Sequence, residues 1–261
     1  MKHGTFILVL LVFAGSVLAQ SNPQETSAVK SKDSASVGAQ RGTLTDVDGN
    51  VYKTVKIGNQ WWMAENLKVT RYRNGDSIPH APNADTWSGH TSSGQLQRGV
   101  SIPMSKYDVT TGAYCNYNND EGNVATYGRL YNWYAVADSR NIAPAGWHVP
   151  TDADWKQLEM YLGMSQAQAD ASFERGTDEG GKLKEADTTH WEPPNTGATN
   201  ESGFSALPGG LRWVLGKFRS MGSYASFWSS TVNRDDSYSA WMECVNKNET
   251  NLLFGQAAFL S

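Results

Sequence analysis

Few side chains in this 261-residue sequence are placed to do acid–base or metal chemistry. The five histidines lie far apart without the spacing of metal ligands, at His3, His80, His90, His148 and His190. His148 stands between Trp147 and Val149, a setting typical of a hydrogen-bonded core or interface residue. Asp152 and Asp154 are better explained by helix capping than by catalysis. Because the sequence shows no nucleophile with a base, metal cluster or cofactor loop, we expect a protein that is not an enzyme.

Two stretches carry enough side-chain oxygens to suggest calcium. Asp46, Asp48 and Asn50 alternate as calcium ligands do, but an EF-hand loop needs glycine where this chain has Val51. Because apolar residues flank these positions, the pattern favours a hairpin turn. The polar segment 118–123 is a solvated turn or, alternatively, a second calcium loop. We therefore expect no cofactor, with calcium as the open alternative.

Three aromatic side chains are candidates for ligand binding. Tyr72, Trp87 and Tyr107 lie in or beside segment 74–112, which is rich in Gly, Ser, Pro and Asn and has little else apolar to bury them. An exposed ring can stack on a sugar or anchor a protein partner. The sequence therefore predicts these rings as a recognition surface, the alternative being that they pin the loop to the core.

A capped helix is the clearest element that could position such residues. It is predicted over 151–162, with apolar side chains recurring at helical spacing at Trp155, Leu158 and Leu162. Thr151 and Asp154 suit a capping-box pair at its start, and Gly163 ends it. A second helix is predicted over 127–137, where Leu130, Tyr131, Tyr134 and Ala137 share one side.

Strands are predicted to supply the remainder of the fold. Hairpins are expected over 43–55 and 57–63, the second with its turn at Gly58-Asn59. Further strands are expected around Cys115 and over 212–218, 225–232 and 241–245. Helices followed by late strands indicate the α+β class.

The chain divides into three parts. Residues 1–19 read as a secretory signal peptide, since their apolar run is shorter than the roughly 20 residues of a spanning helix. We therefore expect no transmembrane anchor after cleavage. Residues 20–41 form a flexible linker without aromatic residues, and 42–261 form a single domain with an aromatic core. The formal net charge of −4 and the lack of a basic block argue against nucleic acid as a partner.

Five phrases carry a family resemblance. In chain order they are VKIGNQWWMAENL at 55–67, GRLYNW at 128–133, GWHVPT at 146–151, GFSALPGG at 203–210 and FWSST at 227–231. The region from about 51 to 241 resembles the Fibrobacter succinogenes major paralogous domain. More distantly, the Pro-Thr-x-Ala-x-Trp helix start at 150–155 resembles formylglycine-generating-enzyme-like domains. That resemblance implies a C-type-lectin-like fold, with two main helices packed on a twisted antiparallel sheet and long irregular loops.

The resemblance implies a scaffold more firmly than an activity. The oxidases of the distant group use a copper-binding cysteine pair that this chain does not match. Glu192 and Asn195 resemble the Glu-Pro-Asn phrase of sugar-binding lectins, but an extra proline changes the spacing. The chain also ends differently from the family, leaving its last strand open. Most tryptophans in or near the shared phrases are expected in the core, namely Trp61, Trp62, Trp133, Trp147, Trp155, Trp213, Trp228 and Trp241.

Cys115 and Cys244 are the two cysteines of the chain. An exported protein reaches a compartment that permits disulfides, so we predict that they pair. The alternative is two separate thiols, because Cys244 precedes the position of the family's terminal cysteine.

Taken together, the sequence predicts a secreted or cell-surface, non-enzymatic binding module in the extracellular space or cell envelope. Its expected partner is an extracellular glycan or protein. An exported enzyme acting on polysaccharide, or a structural cell-envelope protein, is the alternative.

Overall fold

The computed structural model of this chain describes residues 40–88, 111–213, 216–232 and 239–258. The predicted signal peptide, most of the predicted linker and Tyr107 lie outside these ranges. The strands are β1 (Arg41–Thr45), β2 (Val51–Ile57), β3 (Gln60–Met63), β4 (Tyr114–Cys115), β5 (Leu130–Tyr131), β6 (Phe173–Arg175), β7 (Gly209–Arg212), β8 (Phe218–Met221), β9 (Tyr224–Val232), β10 (Ser239–Asn246) and β11 (Leu252–Ala258). The helices are α1 (Ala84–Ser88), α2 (Val124–Tyr127), α3 (Trp133–Ala137), α4 (Asp152–Leu162), α5 (Gln166–Ala169) and α6 (Glu179–Leu183).

The described strands form four small antiparallel sheets, so the domain is of mixed α and β composition. The first has the order β1-β2-β3, and the largest has the order β6-β11-β10-β9. Two further pairs join β4 to β5 and β7 to β8. Both predicted N-terminal hairpins are confirmed. The last part of the chain, although it differs from the family pattern, supplies β11 in the middle of the largest sheet.

Helix α4 confirms the predicted capped helix. The Thr151 hydroxyl accepts from the backbone of Asp154, and the Asp154 carboxylate accepts from the backbone of Thr151. Gly163 ends the helix at φ +132°, a value that favours glycine. Trp155 and Leu158 point into the core.

The predicted helix over 127–137 is wrong as a single element. Gly128 ends α2 at φ +70°, and a Cβ there would lie 2.7 Å from the Leu67 carbonyl oxygen. The next residues pair as β5 with β4, and Asn132 then caps α3 by accepting from the backbone of Ala135. Sheet pairing and a tight turn therefore override the local apolar spacing.

The core is aromatic and joins α4 to two sheets. The Trp155 ring lies 5.0 Å from Trp62 of β3 and 5.7 Å from Phe227 of β9. Trp133 and Trp228 are also buried, confirming the core role of half of the eight tryptophans. The others are only half-buried, namely Trp61, Trp147, Trp213 and Trp241. Within the described ranges, no helix is both long and apolar enough to cross a bilayer.

Candidate functional site

A half-open cavity of about 240 Å³ lies between the β1–β2 turn and the loop that precedes α4. We call it the groove, and its lining is Thr45, Asp46, Val47, Val69, Arg73, Ile142, Ala143, Pro144 and Ala145. Val69 and Ile142 are buried, whereas Val47 is 43% exposed. The groove thus combines buried apolar residues with an apolar residue that faces solvent.

The β1–β2 turn that forms one wall is held by the Asp46 carboxylate. Its Oδ1 accepts from the backbone N–H groups of Asp48 and Asn50, each at 2.9 Å. Its Oδ2 accepts from Asn50 Nδ2 at 2.8 Å and from the Tyr52 hydroxyl at 2.6 Å. These bonds engage both carboxylate oxygens within the protein and hold the predicted hairpin turn.

Asp48 ties this turn to the second wall of the groove. Its carboxylate accepts from the Thr70 hydroxyl at 2.8 Å and from Arg71 Nε at 2.7 Å. Burial alone would raise the pKa of Asp48, but the hydrogen bonds from Thr70 and Arg71 outweigh it and lower the pKa. The ionised carboxylate therefore holds segment 69–71 against the turn.

Arg73 fixes the third wall, the loop over 142–145. Its Nε donates to the Ala143 carbonyl at 2.9 Å, and Nη2 donates to the carbonyls of Pro144 and Trp147 at 2.9 and 2.6 Å. Three carbonyl oxygens are thereby fixed by one guanidinium, whose planar donors suit such convergent acceptors. The groove is consequently preformed by bonds from three separate segments of the chain.

The predicted ligand-binding rings are placed elsewhere. Tyr72 and Trp87 are fully buried, so the expectation of exposed rings is wrong for both. The Arg140 guanidinium stacks over Tyr72 at 4.1 Å, and that of Arg212 lies 4.9 Å from the Trp87 ring. Both rings pin their loops to the core, the alternative that the sequence left open. Tyr107 lies outside the described residues.

Sequence reasoning missed the residues that do shape the groove. Arg73 directly follows Tyr72, but a lone arginine in a loop carries no signal of the carbonyls it will bind. Val47 was assigned to a hairpin because it is apolar and flanks a turn signal. That pattern does not predict an exposed side chain at the edge of a groove. The contact between their segments is set by tertiary structure alone.

The predicted disulfide is wrong. Cys115 and Cys244 are both buried free thiols, one in β4 and the other in β10. Cys115 is beside Arg212, and Cys244 Sγ lies 3.4 Å from the Ser226 hydroxyl oxygen. Burial raises the pKa of each thiol to about 12, which disfavours the reactive thiolate.

The histidines and acidic residues that were considered as catalytic or ligand-binding groups contact single partners. His148 Nε2 lies 3.1 Å from Asp154 Oδ2, in line with the hydrogen-bonded role predicted for it. His190 Nδ1 lies 2.8 Å from Glu185 Oε1. Glu192, from the lectin-like phrase, accepts from the Lys247 ammonium at 2.8 Å. Across the described ranges, no three His, Cys, Asp or Glu side chains converge as a metal site.

The fold and the groove together define a class: a mixed α and β domain of small antiparallel sheets with a preformed apolar groove. A family model described as the Fibrobacter succinogenes major domain matches residues 55–258. The chain therefore belongs to the Fibrobacter succinogenes major domain family, as its five phrases predicted. The match includes Val69, Arg73 and the 142–145 loop, but the β1–β2 turn precedes it. Searches of curated proteins and of solved structures each gave no match.

Proposed function

We propose that this chain is an exported, non-enzymatic binding module on a C-type-lectin-like scaffold. In this proposal the groove receives an apolar side chain from an extracellular protein partner. The observation that carries the proposal is the preformed apolar groove, with Val47 exposed at its edge. The signal-like N-terminus supports export, and helix α4 packed beside an antiparallel sheet supports the scaffold assignment.

The size of the groove favours a side chain over a whole small molecule. Small-molecule sites commonly enclose about 300–1,000 Å³, and the groove, at about 240 Å³, falls below that range. A volume of this size suits the single apolar anchor that often dominates a protein interface. A peptide or protein segment with a leucine-like side chain is therefore the best match in size.

The lining also favours protein over glycan. Its members include five aliphatic side chains and proline but no aromatic ring on which a sugar could stack, namely Val47, Val69, Ile142, Ala143, Ala145 and Pro144. Of the three polar side chains in the lining, Asp46 is engaged by its turn and Arg73 by carbonyl oxygens. The free energy of binding would come mainly from burying apolar surface, which stabilises the complex by roughly 25 cal/mol per Å² of apolar surface removed from water.

The rigid walls reduce the entropic cost of binding. Asp46, Asp48 and Arg73 hold the three segments before a ligand arrives. A preformed site loses less conformational freedom on association than a mobile one. Even a shallow groove can then contribute a specific contact.

The test is an NMR titration of ¹⁵N-labelled protein with N-acetyl-leucinamide, and separately with methyl β-glucoside. We expect the leucine probe to shift the amide signals of Val47, Val69 and Ala143, and the glucoside to leave them unchanged. Val47→Asp should weaken the leucine probe at least about tenfold, because it places a charge at the apolar wall.

Val51→Asp is the matched control. Val51 is 58% exposed on β2 but does not line the groove, so this variant should bind like the wild type. Equal melting temperatures of the two variants would show that both fold. Equal loss of binding in both, or groove shifts caused by the glucoside alone, would contradict the proposal.

A further inference from the structure

A buried charge cluster connects α4 to the largest sheet. Arg175 of β6 is 1% exposed, and its Nη1 lies 3.3 Å from Glu159 Oε1 of α4 and 3.2 Å from Glu243 Oε1 of β10. Glu159 and Glu243 are both completely buried. Two enclosed carboxyl groups therefore face the same nitrogen of one guanidinium.

The surrounding charged groups do not balance the two carboxyl groups against the single guanidinium. Arg175 Nη2 also meets Asp152 of α4 at 3.2 Å. Asp152 is also bound by Lys156 at 3.0 Å, and Lys156 in turn contacts Asp170, the residue after α5, at 2.8 Å. On the remaining side, the Phe254 ring of β11 covers the Arg175 guanidinium at 3.4 Å. The inner group thus holds one positive charge for two carboxyls.

One oxygen of the cluster has no partner. Glu243 Oε2 is buried and accepts no hydrogen bond, while the carboxyl groups of Glu159 and Glu243 converge on the same Arg175 nitrogen. If both were ionised, a buried negative charge would remain uncompensated, and two like charges would lie on either side of one guanidinium nitrogen. A proton between the carboxyls removes both problems, as in other carboxyl pairs that share one site.

We propose that Glu159 and Glu243 share a single proton at neutral pH, and that this proton latches α4 to the sheet. When this proton is lost at alkaline pH, the two carboxylates repel each other across the interface between α4 and β10. The packing of α4 then loosens. The cluster is in this way a pH-sensitive latch that is independent of the groove.

The direction of the titration agrees with the geometry. Burial raises the pKa of Glu159, and burial together with the negative charge of Glu159 raises the pKa of Glu243 well above its usual range. The unfolded groups titrate near pKa ~4.3, so above that pH the folded state holds one more proton than the unfolded state. The contribution of the pair to the free energy of unfolding is therefore greatest below about pH 4.3. It is lost as the pH rises through the pKa of the folded state.

The experiment compares the melting temperature of wild type and Glu243→Gln from about pH 6 to about pH 10. Glutamine keeps the shape of the glutamate side chain, and its amide N–H replaces the proposed proton with a donor that does not titrate. The melting temperature of the variant should therefore fall less with rising pH than that of the wild type. A difference of at least about 2–4 °C at the alkaline end is expected for a domain of this size. Glu201→Gln, at an exposed position, should follow the wild type and is the control.

Infrared spectroscopy of the wild type gives a second readout that needs no variant. The folded protein at neutral pH should show the C=O stretching band of a protonated carboxylic acid, and the band should vanish at alkaline pH. Its absence at neutral pH would overturn the proposal. Parallel melting profiles for wild type and Glu243→Gln would overturn it as well.

Discussion

Lys184 is a fully buried cation that joins two loops to the end of β10. Its ammonium group donates to the backbone carbonyls of Thr196, Asn246 and Glu249 at 2.8, 2.9 and 2.9 Å. Burial lowers the pKa of Lys184 to about 8. The three carbonyls saturate the three donors of an ammonium group, which offsets the cost of enclosing it.

Replacing Lys184 by Met should destabilise the domain by about 3 kcal/mol or more. The methionine preserves much of the volume but removes the donor to three carbonyl oxygens, of which the Asn246 oxygen makes its bond in a buried setting. Chemical denaturation monitored by tryptophan fluorescence measures the change. Lys247→Met is the control, because Lys247 pairs with the exposed Glu192 and such surface pairs contribute little. Equal effects of the two substitutions would show that the buried ammonium has no special role.

Single residues also show where sequence reasoning reaches its limit. Tyr72 and Trp87 were expected at the surface because their neighbours are polar. Arg140 and Arg212 cover these rings instead, from positions far along the chain. A guanidinium that stacks on an aromatic face supplies the cover that apolar neighbours otherwise give. Composition of the local segment cannot reveal such a partner.

At the scale of elements, α4 was predictable because its signals are local. The capping box, the spacing of its core residues and the glycine stop all lie within the helix or next to it. Asp154 does more than cap, since its carboxylate also contacts Gln60 at 3.2 Å and His148 at 3.1 Å. The predicted helix over 127–137 includes α3, but strand β5 and the break before α3 were missed, because they depend on pairing with β4 and on close packing at Gly128.

Thr151→Ala should cost about 1 kcal/mol of stability, the usual effect of removing an N-cap hydroxyl. The loss should appear in global unfolding, because α4 carries Trp155 and Leu158 into the core. Ser165→Ala is the matched control, since Ser165 forms the same capping box on the four-residue helix α5. That short helix can fray locally, so the control should change global stability less. A larger effect of Ser165→Ala in urea denaturation would contradict this account of α4.

At the scale of the whole molecule, the family and the α+β composition were predictable, whereas the groove was not. The ordered phrases indicated the family, and turn signals between apolar residues indicated the N-terminal hairpins. The expected strand over 212–218 is wrong, because Arg212 ends β7 and pairs with Phe218 at the start of β8. The groove is assembled from segments 45–47, 69–73 and 142–145, which no local pattern connects. The wrong disulfide has the same origin, because an expected export compartment indicates which bonds can form but not which side chains meet.

The central claim is that the groove seats an apolar side chain. Intermolecular nuclear Overhauser effects in a sample of labelled protein with N-acetyl-leucinamide test it most directly. The account predicts contacts from the leucine methyl groups of the probe to the methyl groups of Val47, Val69 and Ile142, all of which line the groove. Contacts confined to exposed methyl groups elsewhere, such as those of Val51 and Val232, would contradict it.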